Sequence, residues 1–409
     1  MADDHHHGSR DRWSCLGRDV RVGYCTNVHA GESYRDVMAN LERHAMRVKE
    51  IVSPHEPMGL GLWLSATAAR RLIDDQWIEP LRDWLRERGL KVFTLNGFPH
   101  GSFHDSVVKD RVYQPDWTAV ERVRYTHDLV TILTRLLDAG EEGSISTLPL
   151  GWPAHEPWHD EHLTAAAMQL TSIAALLHRA NEDDGRCIHL DIEPEPGCVL
   201  QTAEAAAHFL RDRVFPMSDG VNLPARTYIR VCHDVCHTAV VFEDQAEAFE
   251  IYERAEVRVG KVQVSSAIDV DLDAMPLERR VMALDRLRAF AEPRYLHQTT
   301  VRHRGRDDTF IDLPDALASR HGRESHGRWR VHYHVPIFLD SLDSADIGTT
   351  QGEIAPAVRA ARAMNVRHWE VETYAWDVLP RELRPSSLAE GIARELTWFE
   401  ELCRAEFSP

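Results

Sequence analysis

Residues 188–197 read I-H-L-D-I-E-P-E-P-G, a short apolar strand that ends in carboxylates and is cut off at once by proline. Alternation along a strand sends Ile188, Leu190 and Ile192 to one side and His189, Asp191 and Glu193 to the other. The design recurs downstream. Residues 228–237 (Y-I-R-V-C-H-D-V-C-H) end in Asp234-x-x-His237, and residues 368–376 (H-W-E-V-E-T-Y-A-W) carry Glu372. Strands that deliver charged groups at their C-terminal ends, with helical stretches between them, are the parts of a catalytic (β/α)8 barrel.

Working outward from these segments, strand-like apolar runs fall at 20–26, 59–64, 91–96, 144–150, 187–193, 228–233, 260–265 and 368–373. Amphipathic stretches at 33–52, 78–88, 117–139, 162–180, 202–214, 245–255, 277–291 and 353–364 separate them. Gly89 and Asn365 stand where helix C-caps belong. Eight strands alternating with helices fit an α/β fold with one closed TIM barrel over residues 18–409. A doubly wound open sheet is the alternative, but no G-x-G-x-x-G follows the first strand. The stretch between Ala291 and Gly352 is too long for one βα loop and contains a further strand-like run at 329–338. It predicts an insertion of about 292–350 between strands 7 and 8, covering the barrel mouth.

The chain has 409 residues, of which 43% are hydrophobic and 27% charged, as in ordinary globular proteins. A formal net charge of -18 argues against nucleic acid and anionic membrane surfaces as partners. No apolar run is long enough to span a bilayer. The seven cysteines form no paired framework, which points to a reducing cytoplasm. Residues 1–17 read as a flexible tail; its His5–His7 tract stands apart from the site argument.

Glu193, Asp234 and Glu372 lie at strand ends, and Gln263 (in K-V-Q-V-S-S) takes the same relative place on the seventh strand. Four oxygen donors suit Mn²⁺, Mg²⁺ or Co²⁺, with Zn²⁺ also admissible, and leave positions open for a chelating substrate. Taken alone, each strand-end acid is more often a solvated loop charge. Three in register on separate strands weigh against that. Asp191 and Glu195 compete with Glu193, His233 competes with Asp234, and Glu370 lies deeper on the strand of Glu372. Asn27, His29, Asn96, His100 and His104 follow the first and third strands. There His29, Asn96 and His100 are candidates to bind a polyol, with ordinary loop hydrogen bonding the competing explanation. His332 and His334 share one face of the insertion strand, and His334 is placed to stand in for a histidine ligand. Lys109, Arg302, Arg304 and Arg306 are the cations available to a substrate phosphate, or simply exposed basic residues.

The segments I-E-P, D-x-x-H, V-G-K-V-Q-V-S-S and E-V-E-T-Y resemble the metal-binding strands of the xylose-isomerase-like barrels, which include ketose 3-epimerases and sugar phosphate isomerases/epimerases. The resemblance implies metal ligation by Glu193, Asp234 and Glu372. It makes Glu193 and Glu372 the catalytic acid/base pair and puts His237 on the substrate. The epimerases carry a histidine where this chain has Gln263, and an amide oxygen is the weaker ligand. G-Y-C-T-N-V-H-A-G-E, T-L-N-G-F-P-H-G-S-F-H, H-Y-H-V-P-I-F and V-E-T-Y-A-W-D-V-L-P further resemble the EboE-like metabolite-traffic proteins, a branch of these barrels found beside genes for secondary metabolism. The strand-end acids and the first resemblance imply a metal-dependent isomerase or epimerase acting on a sugar, sugar phosphate or cyclitol through an enediolate, and the second resemblance implies a secondary-metabolite pathway. A hydrolase of the same superfamily and a non-catalytic metabolite carrier are the alternatives. Self-association is left open.

Overall fold

The computed structural model describes residues 12–153, 157–342 and 346–407. The His5–His7 tract lies outside the described residues. Seven strands, β1 (Arg21–Tyr24), β2 (Met58–Trp63), β3 (Leu90–Asn96), β4 (Glu142–Thr147), β5 (Cys187–Ile192), β6 (Ile229–Asp234) and β7 (Val259–Val264), alternate with helices in the order expected. Five more come after them: β8 (Ile268–Asp271), β9 (Thr299–His303), β10 (Arg306–Phe310), β11 (Arg328–Val331) and β12 (Gly348–Thr349). The last is β13 (His368–Val371), after which the chain ends in the helix Leu388–Phe407.

The first seven strands and β13 make one parallel sheet in the order β1-β13-β7-β6-β5-β4-β3-β2. A parallel bridge from Cys25 to Gly61 brings its two edges together, so the sheet rolls into a barrel. The helices wrap it because their apolar stripes need cover: Ala66–Asp74 buries Ala68, Ala69 and Leu72, and Ile78–Glu87 buries Ile78, Leu81 and Leu85. Gly89 ends the second of these with φ +62°, and Asn365 turns the chain after Ile354–Ala363 with φ +57°.

β8 to β12 form a second, antiparallel sheet in the order β10-β9-β11-β8-β12. It lies between barrel strands β7 and β13 in the chain, and it starts earlier than the anticipated residue 292, because Ile268–Asp271 already pairs with β11 and β12. The strand anticipated over 329–338 keeps its ladder only to Val331. Beyond it, Val335 N donates to Ser266 O (3.0 Å) and Ile337 N to the Glu395 carboxylate (3.2 Å). Arg12 to Gly17, anticipated as part of a mobile tail, are packed down. Leu16 is buried, and the Trp13 ring lies 5.7 Å from that of Phe399.

The barrel interior is polar rather than layered with aliphatic side chains. Lys261, fully buried, pairs with Glu370 and donates to Ser146 Oγ at 3.0 Å. His189 Nδ1 lies 2.6 Å from Asp191 Oδ1, and His368 Nδ1 lies 2.9 Å from Ser144 Oγ. Gly61 makes room for this layer, since a Cβ there would stand 1.4 Å from Glu370 Oε1. Among the described residues, no helix is long and apolar enough to cross a membrane.

Candidate metal centre

Each strand end positions one acid. Glu193 directly follows β5 and its N–H donates to Thr147 O at 3.0 Å, which continues the ladder one residue past the strand. Asp234 closes β6 and caps the helix Val235–Val240, its Oδ1 accepting from His237 N at 2.9 Å and from Ser265 Oγ at 2.8 Å. Glu372 follows β13, held by Glu372 N to Val264 O at 3.2 Å. One carboxylate oxygen from each of the three lies within 4.8 Å of the others, and all three side chains are buried.

Gln263 sits among them. Its Nε2 donates to Glu193 Oε1 at 3.2 Å, to Asp234 Oδ2 at 3.3 Å and to Glu372 Oε2, while its Oε1 accepts from Cys232 Sγ at 3.2 Å. The residue expected to offer oxygen to a cation therefore turns its donor to the carboxylates, because three crowded acceptors draw an N–H before a carbonyl. Ligation through Oε1 requires the amide to turn over about its last torsion. The remaining donors are also neutral: Asn27 Nδ2 and Asn96 Nδ2 reach Glu372 Oε1 at 2.7 and 3.1 Å.

The electrostatics reflect this crowding. Burial, then the neighbouring Glu372 and Asp234, push the Glu193 carboxyl well above the usual range. Burial and Asp234 push Glu372 up to about 8. Burial also acts on Asp234, but His237, His334 and its hydrogen bonds outweigh it and hold that carboxyl low. Glu193 Oε2 is buried with no hydrogen-bond partner among the described residues. Oxygen donors gathered from three strands, one of them unsatisfied, are the chemistry a hard divalent cation fits.

The pleat sets three of the competing residues apart from the carboxylate cluster. Asp191 points into the barrel one layer lower, against His189. His233 points outward, where its Nε2 lies 2.8 Å from Gln245 Oε1 and its ring packs on Phe249. Glu370 belongs to Lys261. Glu195, though, lines the same cavity as Glu193, its Oε1 accepting from Tyr113 OH at 2.7 Å and Gln298 Nε2 at 3.0 Å.

That cavity, about 60 Å³, is bordered by Asn96, His237, His332 and His334, and also by Asn27, Tyr113, Tyr295 and Tyr374. His29 and His100 lie elsewhere. A 3-10 turn, Thr26–Val28, swings His29 away to lie 3.0 Å from Tyr24 OH and to stack on His44. His100 packs its ring against Tyr125, and burial lowers its pKa to about 4. Of the cations considered for a phosphate, Lys109 borders the cavity but pairs with Asp312, whereas Arg302 pairs with Asp307 on the second sheet. Tyr113 and Gln298 had no legible signal, as neither lies at a strand end of the barrel.

No family model matches the chain, and no curated protein sequence does. Solved structures do match. A xylose isomerase-like TIM barrel protein from Mycobacterium smegmatis, in complex with magnesium, superposes with a TM-score of 0.52 at 10% identity, covering 95% of this chain and 98% of that one. A 3-keto-D-glucoside 4-epimerase from E. coli (TM-score 0.44, 11% identity, 93% and 99% covered) is a weaker likeness. So is a probable 3-DHS dehydratase from Bacillus anthracis (0.46, 10%, 93% and 98%). The fold is that of the xylose isomerase-like TIM barrels. Its neighbours include sugar epimerases and a dehydratase, and structures holding magnesium or zinc.

Proposed function

We propose that the barrel is a divalent-metal-dependent isomerase or epimerase acting on a sugar, sugar phosphate or cyclitol, and that Glu193, Asp234, Glu372 and, after rotation of its amide, Gln263 hold the cation. The observation that carries this is the meeting of three buried carboxylates whose hydrogen-bond donors are all neutral groups. Manganese, magnesium or cobalt suits such oxygen ligands, and zinc is also admissible. A bound cation supplies charge stabilisation for the enediolate formed when a carbon beside a carbonyl loses its proton. Glu193 and Glu372 are the groups that take and return that proton. Asn27 and Asn96 hold Glu372 in place, and His237 and Asn96 face the substrate's hydroxyls across the cavity. A carrier of a pathway intermediate, the alternative toward which Gln263 in place of a histidine leans, uses the same pocket without the proton transfer.

Incubation of the manganese-loaded protein with candidate ketoses and cyclitols in deuterated water tests the reading. Deuterium entering the substrate carbon supports it, whereas tight binding with no exchange refutes turnover and favours the carrier. A metal-dependent hydrolase is the second reading, favoured by the group of Glu195, His237 and His332 beside the carboxylates. Cleavage of an ester without deuterium uptake would select it.

A further inference from the structure

The end of the barrel opposite the carboxylates opens into a separate cavity. Where β4 to β7 and β13 begin, a space of about 470 Å³ is lined in part by Glu142, Cys187, Arg230, Arg258, Gly260 and Arg367. The strand ladder makes room for it. β6 pairs with β7 through Val231–Val259 and then Cys232–Lys261, so Gly260 is passed over as a bulge. A Cβ on Gly260 would stand 2.2 Å from Asp191 Oδ1, so the polar interior of the barrel is packed directly behind this space.

Its charge runs against that of the chain. Three guanidiniums face one lining carboxylate, a net of +2 in a protein of formal charge -18. Glu142 is already shared: Arg230 Nη1 reaches its Oε1 at 2.7 Å and Arg367 Nη1 its Oε2 at 3.2 Å. Arg258 has no side-chain hydrogen bond or ion pair among the described residues. Arg230 is 8% exposed, and its Nε donates to Thr227 O at 2.9 Å, which fixes the group against the wall. Burial raises the pKa of the Cys187 thiol beside them, while Arg230, Arg258 and Arg367 each pull against it. All three cations therefore act at one point.

Guanidiniums present paired N–H donors that match the oxygens of phosphate, and two charges beyond what Glu142 neutralises suit a dianion. The volume is that of a small-molecule site. We propose that this cavity binds a phosphate group, free or carried by a small metabolite, at Arg230, Arg258 and Arg367. It lies at the strand starts, away from the carboxylates at the strand ends, and takes no part in the proposed reaction.

Isothermal titration of the chelator-stripped full chain with inorganic phosphate, and separately with glycerol 3-phosphate, tests the site at constant ionic strength. Saturable binding of one phosphate group per chain is the result expected. Arg258→Gln removes a side chain that the fold does not hold, so the variant should fold and bind about tenfold more weakly, the usual worth of one charged contact. Arg367→Gln should weaken binding in the same direction. Lys109→Met, at the mouth, should bind as the parent does. No saturable binding, parent affinity in Arg258→Gln, or binding abolished in Lys109→Met overturns the proposal. Tighter binding of glycerol 3-phosphate than of phosphate assigns the site to a metabolite, and any other order assigns it to the free ion.

Discussion

Gln263 stands to Glu372 as Lys261 stands to Glu370. In each pair a side chain of β7 reaches diagonally to an acid two residues further along on the neighbouring strand, Gln263 itself lying opposite Glu370 in the register. The lower rung is neutralised by an ammonium. The upper rung has only an amide, and where Glu193 and Asp234 also arrive the crowding pushes the Glu193 and Glu372 carboxyls up. The barrel's charge is thus balanced in its interior and left open at its mouth.

Gln263→His replaces an amide that donates to the acids with an imidazole able to ligate. Affinity for manganese is expected to rise about tenfold or more, since imidazole is the stronger ligand. Competition titration against a chelator of known strength measures it, and an unchanged affinity would remove Gln263 from the ligand set.

Glu372→Gln keeps an oxygen for the Asn27 and Asn96 amides to bond, so the fold should survive. Turnover should fall by about a hundredfold or more, the usual worth of a positioned acid or base. A circular dichroism melt together with the deuterium assay separates the two effects. Retained exchange would show that Glu372 moves no proton.

Lys261→Met leaves Glu370 charged and unpaired in a fully buried layer, at a cost of about 3–5 kcal/mol. Adding Glu370→Leu should recover most of that loss, because the cost lies in the orphaned carboxylate. Urea denaturation of both variants checks it; a double variant no more stable than the single would mean that the pair does more than balance charge.

Glu395 gives the pH response a sign. Burial pushes its carboxyl up to about 8, against hydrogen bonds from Thr373 and Ile337 N that pull the other way. The folded chain then keeps a proton that the unfolded chain releases near 4.5, so stability from this group is present below that value and is lost as pH rises through about 8. Its contribution to the melting temperature should decline between pH 5 and 8, and Glu395→Gln should remove that contribution from the pH profile. A slope identical to that of the parent protein would rule this group out as its source.

Much of the architecture was legible because strand period and strand-end chemistry coincide. The alternation His189, Asp191, Glu193 announced which residues face inward, and the order of acids down the barrel follows from it. The Ala66–Asp74 helix and the closing Leu388–Phe407 helix went unread, since a short Ala- and Arg-rich stretch and a segment after the last strand give little to distinguish them. Of the two readings of His29, loop hydrogen bonding is the one local turn geometry favours: one 3-10 turn decides whether a side chain faces the mouth or the wall. Tyr113 and Gln298 reach Glu195 from 82 and 103 residues away, and no spacing rule carries that information.

Above the carboxylates the rings of Phe103, Tyr295 and Tyr374 close together, with centroids 5.0 to 5.6 Å apart. The cavity they line, about 60 Å³, has room for a few water molecules. A ligand the size of a sugar needs more room than that, so in the proposed reaction these rings are the groups that must give way to it.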